Sequence, residues 1–277
     1  EFLMKIQILG TAAGEGWPAL FCNCTACQKA RTLGGKNIRT RSSLQIDDLL
    51  KVDFPPDSLS HANQYGLEFH KLEYLLITHS HSDHLDANGL EFLTQPYSVP
   101  PRYDSLRIFG NDTSISSIRT AINRAYSAYP GFLNTVEPYS SISLDAYEIT
   151  VVKANHKPDE IALNYMITKD HSSVLYACDT GYYDSATWEY LQDKRVDLVI
   201  SECTEGPNRA DYLTHMGYPD VLEFREKALK IGLVDTGTPW ILTHFSHGGG
   251  LMHDELEALV EPEGFRVAWD GMVVETG

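Results

Sequence analysis

Basic residues are scarce in this 277-residue chain: 22 Lys and Arg stand against 38 Asp and Glu, for a formal net charge of −16. Such an acidic balance works against non-specific attraction to polyanions and disfavours nucleic acid as a partner, although a small anionic substrate can still meet a local field of opposite sign. No apolar run approaches the roughly 18 residues that a membrane helix needs, so no membrane partner is expected. The opening Glu1-Phe2-Leu3-Met4-Lys5 lacks a basic segment followed by a long apolar one, so no secretory signal is expected, and the native start is placed at Met4. Cysteines are few: Cys22, Cys24, Cys27, Cys178 and Cys203. An odd count with three crowded into six residues is not a secreted disulfide framework, and a reducing cytoplasm is the expected location. What is present in quantity is apolar character, 43% of residues, enough to bury a sizeable core and to exclude disorder as the main state.

Strand patterns recur along the chain. Met4 to Thr11 alternates and ends at glycine, Ser42 to Val52 reads as a strand pair, and Tyr74 to Thr78 is a short buried run. Leu85 to Leu93 carries apolar residues at helical spacing, and Gln95 to Tyr103, with three prolines, reads as loop. Leu106 to Phe109 is a strand candidate, Ser114 to Ala128 a helix, and Tyr147 to Ala154, Val174 to Cys178, Val196 to Ser201 and Pro239 to Thr243 are strands. Tyr218 to Ile231 is a helix with Pro219 in its first turn. Phe265 to Trp269 and Met272 to Glu275, joined by Asp270-Gly271, read as a closing hairpin. No linker divides the chain, so residues 4–277 are expected to form one domain. Four strands end at His79, His156, Asp179 and His244, which points to one site at a shared sheet edge.

The segment His79-Ser80-His81-Ser82-Asp83-His84 carries the pattern H-x-H-x-D-H, a chance match of roughly one in a thousand at this composition. Imidazole and carboxylate are ordinary ligands of Zn²⁺ and similar ions, and residues two apart in an extended segment point the same way. His79 and His81 can therefore grip one ion. Asp83 and His84 fall where the chain turns and can face a second.

With these residues the sequence resembles the metallo-β-lactamase superfamily, whose signature is this motif. The resemblance implies an α/β fold, the four-layer αββα sandwich, with a one- or two-metal site at the sheet edges. It also implies the later ligands: His156 as the next histidine, Asp179 as the bridging aspartate and His244 as the last histidine. The implied arrangement is His79, His81 and His156 on one ion, Asp83, His84 and His244 on the other, and Asp179 shared, with a bridging hydroxide between them. In β-lactamases proper the position of Asp179 is often cysteine. An aspartate there is more similar to the phosphodiesterase, ribonuclease and thioesterase branches.

A second pattern, Cys22-Asn23-Cys24-Thr25-Ala26-Cys27, supplies three thiolates, and a closed tetrahedral zinc site needs a fourth ligand. His247, three residues after His244, is the candidate, so a structural zinc is expected beside the catalytic pair. A C-x-C-x-x-C after the first strand with His-x-x-His near the C-terminus resembles the phosphodiesterase branch that accompanies carbon–phosphorus lyase in phosphonate breakdown. The likeness runs from Gly10 to His247 and includes Arg41-Ser42-Ser43 and His215-Met216-Gly217. The type-B protein of pyrroloquinoline quinone biosynthesis shares such a cluster but usually has a degraded catalytic motif, which here is intact. Gln95 to Ser143 matches nothing specific and is expected to be a substrate-covering insertion.

The expected chemistry is hydrolysis of a small or cyclic anionic phosphodiester by two divalent ions, zinc or manganese, since N/O ligands accept both. His215 is the candidate general acid or phosphate ligand. Asp53 is placed behind the metal histidines as a hydrogen bonder. A thioester or lactam hydrolase, a tRNA-processing ribonuclease and a metal-stabilised protein without activity are the alternatives, and a homodimer is left open.

Overall fold

A computed structural model describes residues 4–102, 104–122 and 131–276. Fourteen strands form two seven-stranded sheets among the described residues. The first sheet contains β1 (Met4–Gly10), β2 (Ser43–Ile46), β3 (Leu50–Val52), β4 (Tyr74–Leu76), β5 (Arg107–Gly110), β6 (Leu133–Thr135) and β14 (Met272–Thr276), in the order β14-β1-β2-β3-β4-β5-β6. The second contains β7 (Ser141–Leu144), β8 (Tyr147–Lys153), β9 (Leu163–Lys169), β10 (Ser172–Ala177), β11 (Leu198–Glu202), β12 (Trp240–Thr243) and β13 (Phe265–Val267), in the order β13-β12-β11-β10-β9-β8-β7. Strands β3 to β6 run parallel, as do β10 to β13.

Period-two alternation decides which residues meet which layer. In β4, Tyr74 and Leu76 face the other sheet, whereas Leu75 faces outward. In β10, Val174 and Tyr176 point between the sheets and Leu175 and Ala177 point away. The inter-sheet core therefore joins Ile6, Ile8, Leu44 and Val52 to Ile149, Tyr165, Ile167 and Ile200. The outer face of the second sheet is covered by α1 (Thr25–Leu33), α4 (Ser185–Leu191), α5 (Tyr218–Lys230) and α6 (His253–Val260), through Ala30, Trp188, Phe224 and Leu256. The outer face of the first is covered by α3 (Asp112–Ile122) through Ile115, Ile118 and Ile122. A further short helix, α2 (Ser58–Tyr65), follows β3. The result is the αββα sandwich. Among the described residues no helix is long and apolar enough to cross a membrane.

Four expectations are corrected. The closing hairpin does not form: β13 pairs parallel with β12 in the second sheet, and β14 pairs antiparallel with β1 in the first. Asp270 still sits in a tight turn, Met272 N donating to the Trp269 carbonyl at 3.0 Å, but the turn joins the two sheets instead of closing a hairpin. Its carboxylate accepts hydrogen bonds from Thr11 Oγ1 at 2.6 Å and Thr40 N at 2.6 Å, and so anchors the crossover between the sheets. The described part of 95–143 is not an insertion over the sandwich; residues 103 and 123–130 lie outside the described residues. It supplies β5, α3, β6 and the start of β7, all parts of the layers. Its weak signal comes from β6, a short edge strand without a fully buried residue. Leu85 to Leu93 is not an α-helix; only Gly89–Leu93 coils, as a short 3₁₀ turn. The helix expected over Ser114 to Ala128 begins two residues earlier, where Asn111 Oδ1 accepts from Ser114 N at 2.8 Å, and its part beyond Ile122 lies outside the described residues.

Candidate metal centres and active site

The strand ends deliver the expected side chains to one place. His79, His81, Asp83 and His84 follow β4, His156 follows β8, Asp179 follows β10 and His244 follows β12. Asp179 and His244 leave their strands at positive φ, 56° and 58°, conformations that side-chain-bearing residues adopt rarely and that mark over-determined sites. The donor atoms of His79, His81, His156 and Asp179 lie within 4.8 Å of one another, as do those of Asp83, His84, Asp179 and His244. Asp179 belongs to both groups. Its Oδ2 lies 3.2 Å from His79 Nε2, 3.0 Å from His84 Nε2 and 3.5 Å from His156 Nε2, and its Oδ1 lies 3.3 Å from His244 Nε2.

The outward-facing nitrogens are held from behind. Asp53 Oδ2 is 2.7 Å from His84 Nδ1, Thr78 Oγ1 is 3.0 Å from His79 Nδ1, Thr204 Oγ1 is 2.8 Å from His244 Nδ1, and the Thr214 carbonyl is 3.2 Å from His156 Nδ1. Such partners fix ring orientation and raise ligand basicity. The inward atoms are the reverse case: His79 Nε2, His84 Nε2, His244 Nε2 and Asp179 Oδ1 are buried and make no hydrogen bond. Buried polar atoms are almost always bonded, so a convergent set of orphans is what a bound cation would satisfy. The residues fit a pair of divalent ions.

Electrostatics agree. Burial and the neighbouring His84 push His79 down to about 4, which favours the neutral imidazole a metal requires. Burial opposes ionisation of Asp179, but His244, His79 and His84 outweigh it and hold the carboxyl well below its ordinary range. Burial likewise opposes the charged form of His84, yet Asp83, Asp53 and Asp179 raise it well above the usual imidazole value. The surplus negative field responsible is one that a cation satisfies.

His215 joins the same cleft, its Nδ1 3.2 Å from Asp179 Oδ1 and 3.0 Å from Glu202 Oε1. Burial disfavours its charge, but Glu202 prevails and pushes it up to about 9. The approach depends on Gly181, where a Cβ would lie 1.8 Å from the Leu213 carbonyl oxygen, so no other residue lets the 213–215 segment lie against the turn after Asp179. Glu202 also accepts from Thr180 N, Thr204 Oγ1 and Met216 N, leaving it no free acceptor for a metal. Glu202, Thr204 and Thr78 are functional candidates that sequence reasoning missed. The one available signal was an acidic residue ending the otherwise apolar strand Val196 to Ser201.

The cysteine cluster is built separately. Cys24 caps the N-terminus of α1, its Sγ accepting from Cys27 N at 3.5 Å, while Cys22 Sγ accepts from Cys24 N and Cys27 Sγ from Ala19 N. His247 Nδ1 lies 3.4 Å from Cys24 Sγ and 3.8 Å from Cys22 Sγ, which brackets the edge of about 3.6 Å expected for S and N ligands of tetrahedral zinc. The Cys27 amide and His247 pull Cys24 down to about 6, a thiolate-favouring value. Glu15 stands 3.7 Å behind His247 Nε2.

Comparison with known proteins places this arrangement. The family profile described as the beta-lactamase superfamily domain matches residues 54–245. Ribonuclease Z of Pyrococcus abyssi is 30% identical over 112 residues, a match spanning 39% of this chain and only 36% of that enzyme. A diphosphatase from the PhnP family is similar in structure, with a TM-score of 0.75 at 21% identity, over 99% of this chain and 97% of that one. The metallo-β-lactamase fold protein YhfI from Bacillus subtilis superposes with a TM-score of 0.72 at 23% identity, over 99% and 100% of the two chains. The chain belongs to the metallo-β-lactamase superfamily of metal-dependent hydrolases.

Proposed function

We propose that the protein hydrolyses a small or cyclic phosphodiester, or a diphosphate of similar size, with two divalent cations held by His79, His81, His156, Asp83, His84, His244 and the shared Asp179. The observation that carries this reading is the Asp179 carboxylate set between two groups of inward-facing imidazoles, with His79, His84 and His244 Nε2 buried and unbonded. When bound, the cations supply water activation at neutral pH and Lewis acidity toward a phosphoryl oxygen. The chain's own residues do the rest. Asp179 and the outer partners Asp53, Thr78 and Thr204 hold the imidazoles in one orientation. His215, gripped by Glu202, is placed to hold a proton for the leaving oxygen. A cavity of about 670 Å³ opens beside His156, with Lys153, Lys157, Asn155 and Thr214 among its walls, a size suited to a small ligand.

The likeness to a diphosphatase and the net charge of −16 both favour a small phosphorylated substrate. The partial match to ribonuclease Z favours a second reading, cleavage of RNA. The deciding experiment is a side-by-side assay of metal-reconstituted protein on bis(p-nitrophenyl) phosphate, small cyclic and linear phosphodiesters, a precursor tRNA, a thioester and nitrocefin. Phosphodiester turnover that disappears on chelation is the expected outcome. A clear preference for the thioester or nitrocefin would overturn it, and a preference for precursor tRNA would replace it with the nuclease.

A further inference from the structure

One buried carboxylate outside both metal-ligating sets ties together two of the three segments that supply the first ion's site. Glu160 is 8% exposed, and its two oxygens accept four hydrogen bonds: from Ser80 N at 2.9 Å, Asn111 Nδ2 at 2.7 Å, Ser80 Oγ at 2.6 Å and Lys157 Nζ at 2.9 Å. Ser80 is the residue between His79 and His81. In an extended segment its side chain points opposite to theirs. A group that grips Ser80 from behind, at both backbone and hydroxyl, therefore fixes how far the flanking imidazoles turn forward. The same carboxylate holds Lys157, next to His156, and Asn111, whose Oδ1 caps α3 and whose Nδ2 also reaches the Ile161 carbonyl at 2.8 Å.

We propose that Glu160 is a positioning residue for the ion site formed by His79, His81 and His156, acting through Ser80 and the 156–160 loop rather than by ligating the metal. The inference rests on the metal-pair reading above. Three of the four donors to that ion lie on the two segments Glu160 ties together, whereas on the other ion His84 is supported by Asp53 and His244 by Thr204. An ionised carboxylate is required at this point because all four partners donate. An amide nitrogen in its place would face donors. Burial works against the charge, but the Ser80, Lys157 and Asn111 bonds hold Glu160 down at about 2, so it is ionised throughout the working pH range.

The test is competitive metal titration of the full-length protein against a chromophoric chelator, with zinc as the probe, for wild type, Glu160→Gln and Ser80→Ala. For Glu160→Gln, affinity for one of the two catalytic ions should fall by roughly 10–100-fold, the scale typical of partners behind ligands. The other catalytic ion and the cysteine-bound zinc should change less than threefold. Excess metal should restore kcat toward wild type without altering KM. Ser80→Ala keeps the backbone bond and should show a smaller loss at the same ion, which decides the matter even if Glu160→Gln folds poorly. Unchanged affinities in Ser80→Ala, or in folded Glu160→Gln, would overturn the assignment, as would an equal loss at both catalytic ions. A wild type that takes up no catalytic pair would overturn the metal-pair reading and this one together.

Discussion

The donors around Asp179 come from four segments spread between residues 79 and 244; His79, His84, Asp179 and His244 are buried, and His81, Asp83 and His156 are half-buried at the mouth of the cleft. Three of the four donors in the cysteine cluster lie within six residues at the start of one helix, and the cluster is partly open to solvent. The first set exists only after both sheets have formed and stacked, because its members leave β4, β8, β10 and β12 at their ends. The second needs one turn of α1 and a single long-range partner, His247. The contrast fits two different uses of a metal, were each cluster to hold one. A cluster closed by four strong ligands staples a loop, whereas a cluster with shared and unsaturated donors is available for chemistry. The two meet in the chain at His244 to His247, where Phe245 N donates to the Thr11 carbonyl at 2.8 Å and ties the loop to the end of β1.

The sharpest way to break this contrast is Asp179→Ala. Phosphodiester kcat/KM should drop at least about a hundredfold, since even changes behind the ligands act on that scale. Steady-state kinetics check this, and the cysteine-bound zinc should be untouched. His215→Ala comes next. Loss of a general acid should lower kcat on the order of 100-fold for a substrate leaving as an alkoxide and much less for one leaving as p-nitrophenolate, with KM little changed. Equal losses for the two leaving groups would remove His215 from proton donation. Cys24→Ser should leave catalysis by metal-saturated protein close to wild type but destabilise the fold. A loss of about 3 kcal/mol would lower Tm by roughly 6–12 °C in a chain of this size, read by calorimetry.

The smallest effect sharpens the cost of the buried outer ring. Lys51 is fully buried, donates to Ser43 Oγ, and is pushed by burial down to about 7, with Asp53 opposing. Its folded value lies below its unfolded one, so the unfolded chain binds the extra proton between about pH 7 and about 10.5, and this group's contribution to stability rises across that window. Lys51→Met should therefore stabilise most below pH 7 and progressively less above it. Ser43 Oγ keeps its own bond to the Val52 carbonyl at 2.8 Å. Denaturant melts at pH 6 and pH 10 measure the difference.

What could be read from sequence follows the same division. The motifs His79 to His84 and Cys22 to Cys27 are contiguous, so spacing alone exposes their chemistry. His156, Asp179 and His244 were legible only as polar residues ending apolar runs, combined with the superfamily's order of ligands. Glu160 and Thr204 have no spacing signal, because their partners are set by the approach of segments distant in the chain. The Asp270-Gly271 dipeptide misled for the same reason. Locally it favours a hairpin, but the pairing of Phe265 with Trp240 and of Met272 with Ile8 sends its flanking strands into different sheets.

The most direct test of the central claim is the number of metal ions per chain in reconstituted wild type, Asp179→Ala and Cys24→Ser, by elemental analysis. Two independent sites of unlike construction predict about three, one and two ions respectively. A single ion in both wild type and Asp179→Ala would contradict the account, because Asp179 would then bridge nothing.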